Sequence, residues 1–447
     1  MDPVDLRVYR FGGFIAAHVR PWYNPGRAAP LYDWPGFENL KFTYTPFASV
    51  VFIAATVLPL LTLERLSLAV NTLAMLVAIW VTFAAVGWPG HGDSAGLPAG
   101  QRGRPPLISR VGIALAVGAV MFWAEPVQRT LYLGQVELIL MALIMWDLGQ
   151  PDRRWFKGAG VGIAAGIKLV PLIFIPYLLI TRRFRQAIVA AGTFALTVVI
   201  GFAADPADSV RWWIGGVFAQ GSRTGFVGWE GNQSLRGLIT RLAGSVAGGA
   251  SLWLWAAAAT VVVGLAAAVL LDRAGHRVVA VLACALTGLL VSPISWDHHW
   301  VWVVPAVVTA IGYAARLRGR ARLACAGLAV AITAIYFGWP GSLWGIASNP
   351  GAFTLGLIWM PPNTNPGTYY RLGDRPWFAE YHWHGLELLT GNLYVLTGIG
   401  LLIVLAVLAG LAGLSVRRAR KRPVTTTATT AATLASSAAG AQNVMMS

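Results

Sequence analysis

The chain has 447 residues, of which 56% are apolar and only 12% charged, with a mean hydropathy of +0.62. A soluble domain carries roughly 25% charged residues, so the composition excludes an ordinary soluble protein and points to a polytopic membrane protein. The net charge of +16 is gathered into short clusters between apolar runs, the pattern of cytoplasmic span ends, which argues against nucleic acid as a partner.

Residues 1–46 form a polar, aromatic and proline-rich segment with acids at Asp2, Asp5 and Asp33. No signal peptide is visible, and the abrupt opening MDPVDLRVYR leads us to expect a further span before Met1 that would carry Asp5 across the bilayer. Phe11–Val19 predicts a short interfacial helix, which leaves Asp5, Arg7 and Tyr9 in a loop ahead of it. Apolar runs follow at 47–62 and 67–88. Crossing parity requires that one of these two be only a partial, re-entrant segment. After a Gly/Pro-rich loop ending in QRGRPP come a run at 107–123, a short amphipathic stretch Pro126–Gln135, and a run at 136–147 that ends at the basic DRRWFK.

The next run, 158–180, holds Lys168 in its middle and Pro171 three residues on. An intramembrane lysine is costly and a proline breaks a helix, so this stretch predicts a broken helix or a V-shaped pair of half-spans. Basic residues on both sides, Lys157 and Arg182, place both ends on one face. Spans are expected at 186–204, 250–271, 278–292, 301–315, 323–338 and 389–412. Cys284 and Cys325 fall within apolar runs and read as small buried hydrophobes. Residues 1–415 thus form one membrane domain, and 416–447, a basic run followed by Thr, Ala and Ser, reads as a disordered cytoplasmic tail. The polar-aromatic loops 205–247, 292–300 and 339–388 all fall on the opposite face, where together they suit a substrate with a lipid tail and a polar head.

The densest chemistry lies in SPISWDHHWVWVV, Ser292–Val304. Asp297, His298 and His299 close to a span end are expensive unless they face a cavity or the water edge. The alternative is an aromatic belt of Trp296, Trp300 and Trp302 anchoring the span, although anchoring has no use for the acid that here stands ready to orient an imidazole. An enzyme acting on lipid phosphates needs a base, cationic or imidazole groups for the departing phosphate, and an apolar slot. Asp5 is a candidate base, or a solvated terminal acid. Lys168 can contact a phosphate or snorkel. Arg236, with Asn232 and Gln233, offers donors for sugar hydroxyls or phosphate, or a capped turn. Two histidines are too few for a metal, so neither metal nor cofactor is expected. His382 and His384 read as a surface loop.

The segments DLRVYRFGG, LYDWPG, FTYTPF, LYLGQVELILMALIMWDL, AGVGIAAGIKLVPLIFIPYLL, NQSLRG, SPISWDHHW and GNLYVL, in this order over about residues 5–410, resemble glycosyltransferase family 87. These are polytopic, polyprenol-phosphate-sugar-dependent transferases of actinobacterial envelopes. The resemblance implies an all-α transmembrane bundle of the membrane-embedded glycosyltransferase C superfamily, with long periplasmic loops. It further implies a plasma-membrane enzyme that takes mannose from polyprenyl-phosphate-mannose on the periplasmic side. Transfer, with inversion and an α-1,2 linkage, would go to a phosphatidylinositol mannoside or lipomannan-type glycolipid.

By that resemblance Asp5 is the base, and Asp297, His298 and His299 lie near the donor phosphate, with Lys168 and Arg236 lining the same region. Arg7, Tyr9, Tyr44, Gln135, Glu137 and Asn232 belong to the same motifs and are expected to bind substrate. Two positions depart from the family pattern: GQVN reads GQVE, which puts Glu137 where an amide is usual, and FTYPP reads FTYTP, with Thr45 replacing a proline. Transfer of arabinofuranose from decaprenyl-phosphate-arabinose remains open, as does a polyprenyl-linked sugar flippase, which would use Lys168 and Arg236 but no base.

Overall fold

The computed structural model describes residues 3–18, 31–32, 40–88, 107–340, 354–361, 370–372 and 375–421. Asp2, Asp33, the QRGR turn and the tail from residue 422 lie outside the described residues. Helices account for nearly all of the regular structure: α1 (Val4–His18), α2 (Pro46–Phe52), α3 (Leu60–Val86), α4 (Leu107–Met121), α5 (Glu125–Leu133), α6 (Glu137–Gly149), α7 (Ala159–Ile167), α8 (Phe174–Ile180) and α9 (Phe184–Ala204). The second half comprises α10 (Pro206–Trp213), α11 (Leu235–Ala243), α12 (Ala250–Arg273), α13 (Arg277–Val291), α14 (Val303–Arg316), α15 (Gly319–Tyr336), α16 (Gly385–Thr390) and α17 (Leu393–Lys421). Two short antiparallel ladders, 339–340 with 354–355 and 370–372 with 375–377, decorate the last loop.

Among the described residues five helices, α3, α9, α12, α15 and α17, are long and apolar enough to cross a membrane, and α5 and α6 form a pair bent by 117°. A helix satisfies its own backbone groups, which a bilayer cannot do. The multi-pass, all-α architecture follows from that constraint. One end of the bundle is tied by ions. Asp152 pairs with Lys157 at 3.0 Å and Arg277 at 2.6 Å, and Asp272 pairs with Arg183 at 2.8 Å. Arg316 donates to the Val86 carbonyl, so α3 and α14 end here too.

The 158–180 stretch forms the expected pair of half-spans. Gly158, Gly162 and Gly166 lie against Gln186, Ala190 and Thr197, where an added Cβ would meet neighbouring atoms at 2.2, 2.5 and 2.4 Å. Helix α7 therefore climbs beside α9, starting from the basic end. It stops at Lys168, whose backbone is extended (φ −139°, ψ 128°). A 3-10 turn at Val170–Ile173, with Pro171 in it, and α8 bring the chain back to Arg183 at the foot of α9. Nine residues of α7 rise only ~13 Å, so the apex at Lys168 stays inside the bundle.

Of two expectations near the N-terminus, the first is corrected and the second is met. Helix α1 begins at Val4, not near Phe11, because Leu6, Val8 and Tyr9 extend its buried stripe toward the start. Asp5 thus sits in a first helical turn instead of a loop. The run 47–62 does not cross. Thr45 caps α2, accepting from the Ala48 amide at 3.2 Å, and Pro59 interrupts the run before α3. Phe47 lies against Gly201 at the far end of α9, and Leu58 accepts from Arg10 at 3.2 Å. Both ends of the segment thus stay at the non-basic end, and α3 alone makes the crossing, in keeping with the parity argument.

Candidate active site

The non-basic end gathers the loops. The amide of Gln233 donates to Ser295 O at 2.8 Å, and that of Asp297 to Gly231 O at 2.9 Å. Asn232 completes this bracket, accepting from the Ser295 amide at 3.0 Å and donating to Val227 O at 2.8 Å. Its amide is therefore occupied in holding the loop that precedes Asp297. Arg236 lies with its guanidinium 4.8 Å from the Trp253 ring centroid, against α12. Of the expected donor-binding residues, these two join the scaffold rather than the central cluster. Arg241, in the same segment, is buried and donates to Asn392 Oδ1 at 2.8 Å and Trp229 O at 2.9 Å, knotting the loop to the start of α17.

Asp297, His298 and His299 open a 3-10 turn, Asp297–Trp302, and all three are buried. Asp297 Oδ1 accepts from the His298 amide at 2.8 Å and lies 3.1 Å from its Nδ1, while Oδ2 accepts from Arg129 Nε at 3.1 Å. Arg129 lies one turn beyond Glu125 on α5. Glu125 is fully buried and accepts from Trp359 Nε1 and from the Tyr394 hydroxyl, both at 3.0 Å. Sequence reading passed over Glu125 and Arg129. The signal was there, an acid and an arginine four residues apart in a short amphipathic segment, but nothing local pointed to their partner 168 residues away.

The elbow between α5 and α6 seats the N-terminal helix. Gly134 adopts φ 73°, and a Cβ there would come within 2.7 Å of Leu6, so only glycine lets α1 lie this close. Asp5 stands one helical turn before Tyr9 on α1. Tyr9 and Tyr44 hydroxyls, 2.7 Å apart, both bond Gln135 Oε1, the latter at 2.9 Å. Burial raises the Asp5 carboxyl above its ordinary value, opposed by His298, Gln135 and Lys168 and assisted by Glu137. Arg7 lies on another face of α1, beside Arg10 and Phe14 on a groove open to the outside.

At the centre, Lys168 bonds Glu137 Oε1 and lies 2.8 Å from His299 Nε2. The departures from the family motif are thereby explained. Glu137 is the counter-ion of Lys168, and Thr45 both caps α2 and donates to Gly166 O. An ammonium only donates, so His299 Nε2 accepts and its ring proton belongs on Nδ1. His298 Nε2 and Glu137 Oε2 are buried without a hydrogen-bond partner among the described residues. Glu137, His298 and His299 offer ligand atoms within 4.8 Å of one another, the number a catalytic zinc uses. The Lys168 ammonium, however, bonds two of the three, and a dication would have to displace it. The set suits an anion better. Below it runs an apolar cleft with Glu137, Lys168 and His299 at its rim and Met141, Phe174 and Leu289 in its walls. His382 and His384 are exposed.

A multi-pass helical bundle that encloses a buried cluster of carboxylates, imidazoles and an ammonium above an apolar cleft has the layout of a membrane-embedded enzyme. Residues 42–293 match the family model of glycosyltransferase family 87. The chain is 31% identical over 393 residues to the polyprenol-phosphate-mannose-dependent alpha-(1-2)-phosphatidylinositol pentamannoside mannosyltransferase of Mycobacterium tuberculosis, covering 88% of this chain and 80% of that one. It is likewise 31% identical over 336 residues to the corresponding phosphatidylinositol mannoside mannosyltransferase of the same organism, covering 73% and 74%. With the pentamannoside enzyme of Mycolicibacterium smegmatis it shares 30% identity over 394 residues, covering 88% and 84%. The chain belongs to glycosyltransferase family 87 and is a sugar-transferring membrane enzyme. No solved structure matches it.

Proposed function

We propose that this enzyme transfers mannose from polyprenyl-phosphate-mannose to a mannosyl hydroxyl of a phosphatidylinositol mannoside or lipomannan-type glycolipid, with inversion and an α-1,2 linkage. The fold is then that of the glycosyltransferase C superfamily, and the loop-bearing end faces the periplasmic side of the plasma membrane. The observation that supports the reading is the packing of α1, which bears Asp5, on the α5–α6 elbow, where its Tyr9 bonds Gln135 two residues before Glu137 of the Glu137–Lys168–His299 cluster at the rim of the apolar cleft. The cleft takes the prenyl chain, and the rim takes the phosphate.

Asp5 removes the proton of the acceptor hydroxyl. The hydroxyl oxygen attacks the anomeric carbon in line, the bond from that carbon to the phosphate oxygen breaks, and polyprenyl phosphate leaves with the electron pair. No general acid is needed, because the leaving group is already a stabilised anion. Lys168 and His298 offset its charge. His298 is the imidazole suited to this, since its Nε2 is unpartnered while that of His299 is bonded to Lys168. Asp297 fixes the His298 ring from behind. A carboxylate whose proton affinity is raised by burial is also a stronger base.

The test is transfer of radiolabelled mannose from polyprenyl-phosphate-mannose to endogenous glycolipid in membranes expressing the chain, with decaprenyl-phosphate-arabinose as a parallel donor. Labelled glycolipid sensitive to an α-1,2-mannosidase supports the reading. Labelling from the arabinose donor alone replaces the sugar, and movement of intact donor across vesicles without transfer replaces the enzyme with a flippase.

A further inference from the structure

Behind the cleft at Lys168, on the other side of Leu289 and Trp302, helices α13, α14, α15 and α17 enclose a second cavity of about 360 Å³. Trp300, Trp302 and Tyr336 close the end nearest the histidines. The opposite end lies at His276 and Tyr313, whose Nδ1 and hydroxyl are 2.7 Å apart. Between the ends the wall is mainly aliphatic, with Thr309 and Cys325 in it, and among the described residues no Asp, Glu, Lys or Arg lines it. Val303 and Tyr313, ten residues apart on α14, both line the cavity, which gives it a length of ~15 Å. That is half of a hydrocarbon core of ~30 Å, the thickness of one leaflet.

Basic side chains surround the outer rim. His276 lines it and is exposed, exposed Arg273 follows two residues after Leu271, which lines the cavity, and exposed Arg322 lies one turn before Cys325, which also lines it. Two acids of this end are paired with cations, Asp272 with Arg183 and Asp152 with Lys157 and Arg277, and Asp147 accepts from the Gly158 and Val161 amides. Basic pockets between spans bind anionic lipid headgroups. We infer that this cavity is a binding site for an anionic phospholipid of the leaflet at the basic end, with one acyl chain between α13, α14, α15 and α17 and its phosphate at Arg273 and His276. A prenyl donor does not fit these terms, because the phosphate site at Lys168 lies beyond the tryptophans, at the end where this cavity has no charged group. The site is separate from the catalytic reading and does not depend on it.

Native mass spectrometry of the full chain in mild detergent, supplied with phosphatidylglycerol or phosphatidylcholine of matched chains, reads occupancy directly. One phosphatidylglycerol is expected to be retained in preference to phosphatidylcholine, and Ala306→Trp, which fills the groove from α14, is expected to abolish retention. In case that variant fails to fold, Arg273→Ala is expected to lower the preference about fivefold for the one charge lost. Equal retention of both lipids, or an adduct unchanged in a folded Ala306→Trp and in Arg273→Ala, overturns the inference. So does displacement of the adduct by polyprenyl-phosphate-mannose, which would assign the cavity to the donor.

Discussion

His299 Nε2 lies 2.8 Å from the Lys168 ammonium, and since an ammonium has no acceptor, this imidazole is held as a proton acceptor. The neighbouring ring of His298 is turned the other way, Nδ1 to Asp297 and Nε2 unpartnered. Adjacent histidines thus have different tasks, and their variants should separate. His298→Ala is expected to lower kcat by about 10²–10³-fold, the cost of removing one donor to a developing anion. His299→Ala should cost less, and its loss should merge with that of Lys168→Met in the double variant. Steady-state rates of the three single variants and the double variant check this, and a larger loss for His299→Ala than for His298→Ala contradicts it.

The base assignment carries a pH signature. Burial raises the Asp5 carboxyl, and the base works only when deprotonated. Turnover is therefore expected to rise with pH through a midpoint above the ordinary aspartate value of about 3.9 and then level off. A rate profile from pH 4 to 8 measures the midpoint, and a rate already level at pH 4 would count against Asp5.

Arg129 and Glu125 are expected to matter for stability as well as rate. Arg129→Met leaves the buried Asp297 without its cation, at a cost of about 3–5 kcal/mol. Glu125→Gln keeps an acceptor for Trp359 or Tyr394 and should cost about 1–3 kcal/mol. Thermal melts in detergent read both, and melting temperatures equal to the parent would show that the cluster is not held as described.

A second acid gives a stability test outside the spans. Asp208, on α10, accepts from the Leu31 amide, and burial, with neighbouring Asp205, pushes its carboxyl up to about 7 against that amide bond. Because the folded value exceeds the unfolded one, the folded state holds more protons between about pH 4 and 7, and stability falls as pH rises across that window. Asp208→Asn, which keeps an acceptor for Leu31, should flatten this dependence in melts taken from pH 4 to 8. A slope unchanged in the variant would locate the effect elsewhere.

Much of this layout could be read from the sequence where the bilayer imposes its own rule. The intramembrane Lys168, flanked by basic residues at both ends, predicted the half-span hairpin, since the charges fix both ends on one side. The same arithmetic limited the first two runs to one crossing. Loop convergence at one end followed from the alternation of basic turns. What local pattern missed were the long-range pairings: Arg129 with Asp297, Glu125 with Trp359 and Tyr394, Arg241 with Asn392. These depend on how the α5–α6 elbow meets the Asp297–Trp302 turn, which no periodicity encodes. Asn232 and Arg236 show the converse. Their donor chemistry suits a substrate, yet the fold spends Asn232 on the backbone and Arg236 on Trp253.

The most direct measurement is a paired assay on Asp5→Asn, with mannose transfer and binding of polyprenyl-phosphate-mannose determined on the same preparation. Transfer is expected to vanish while donor affinity stays near that of the parent, because the proposed mechanism gives the phosphate to Lys168 and His298 and not to the base. Transfer at the parent rate would contradict Asp5 as the base. Loss of donor binding together with transfer would place Asp5 in the donor site instead.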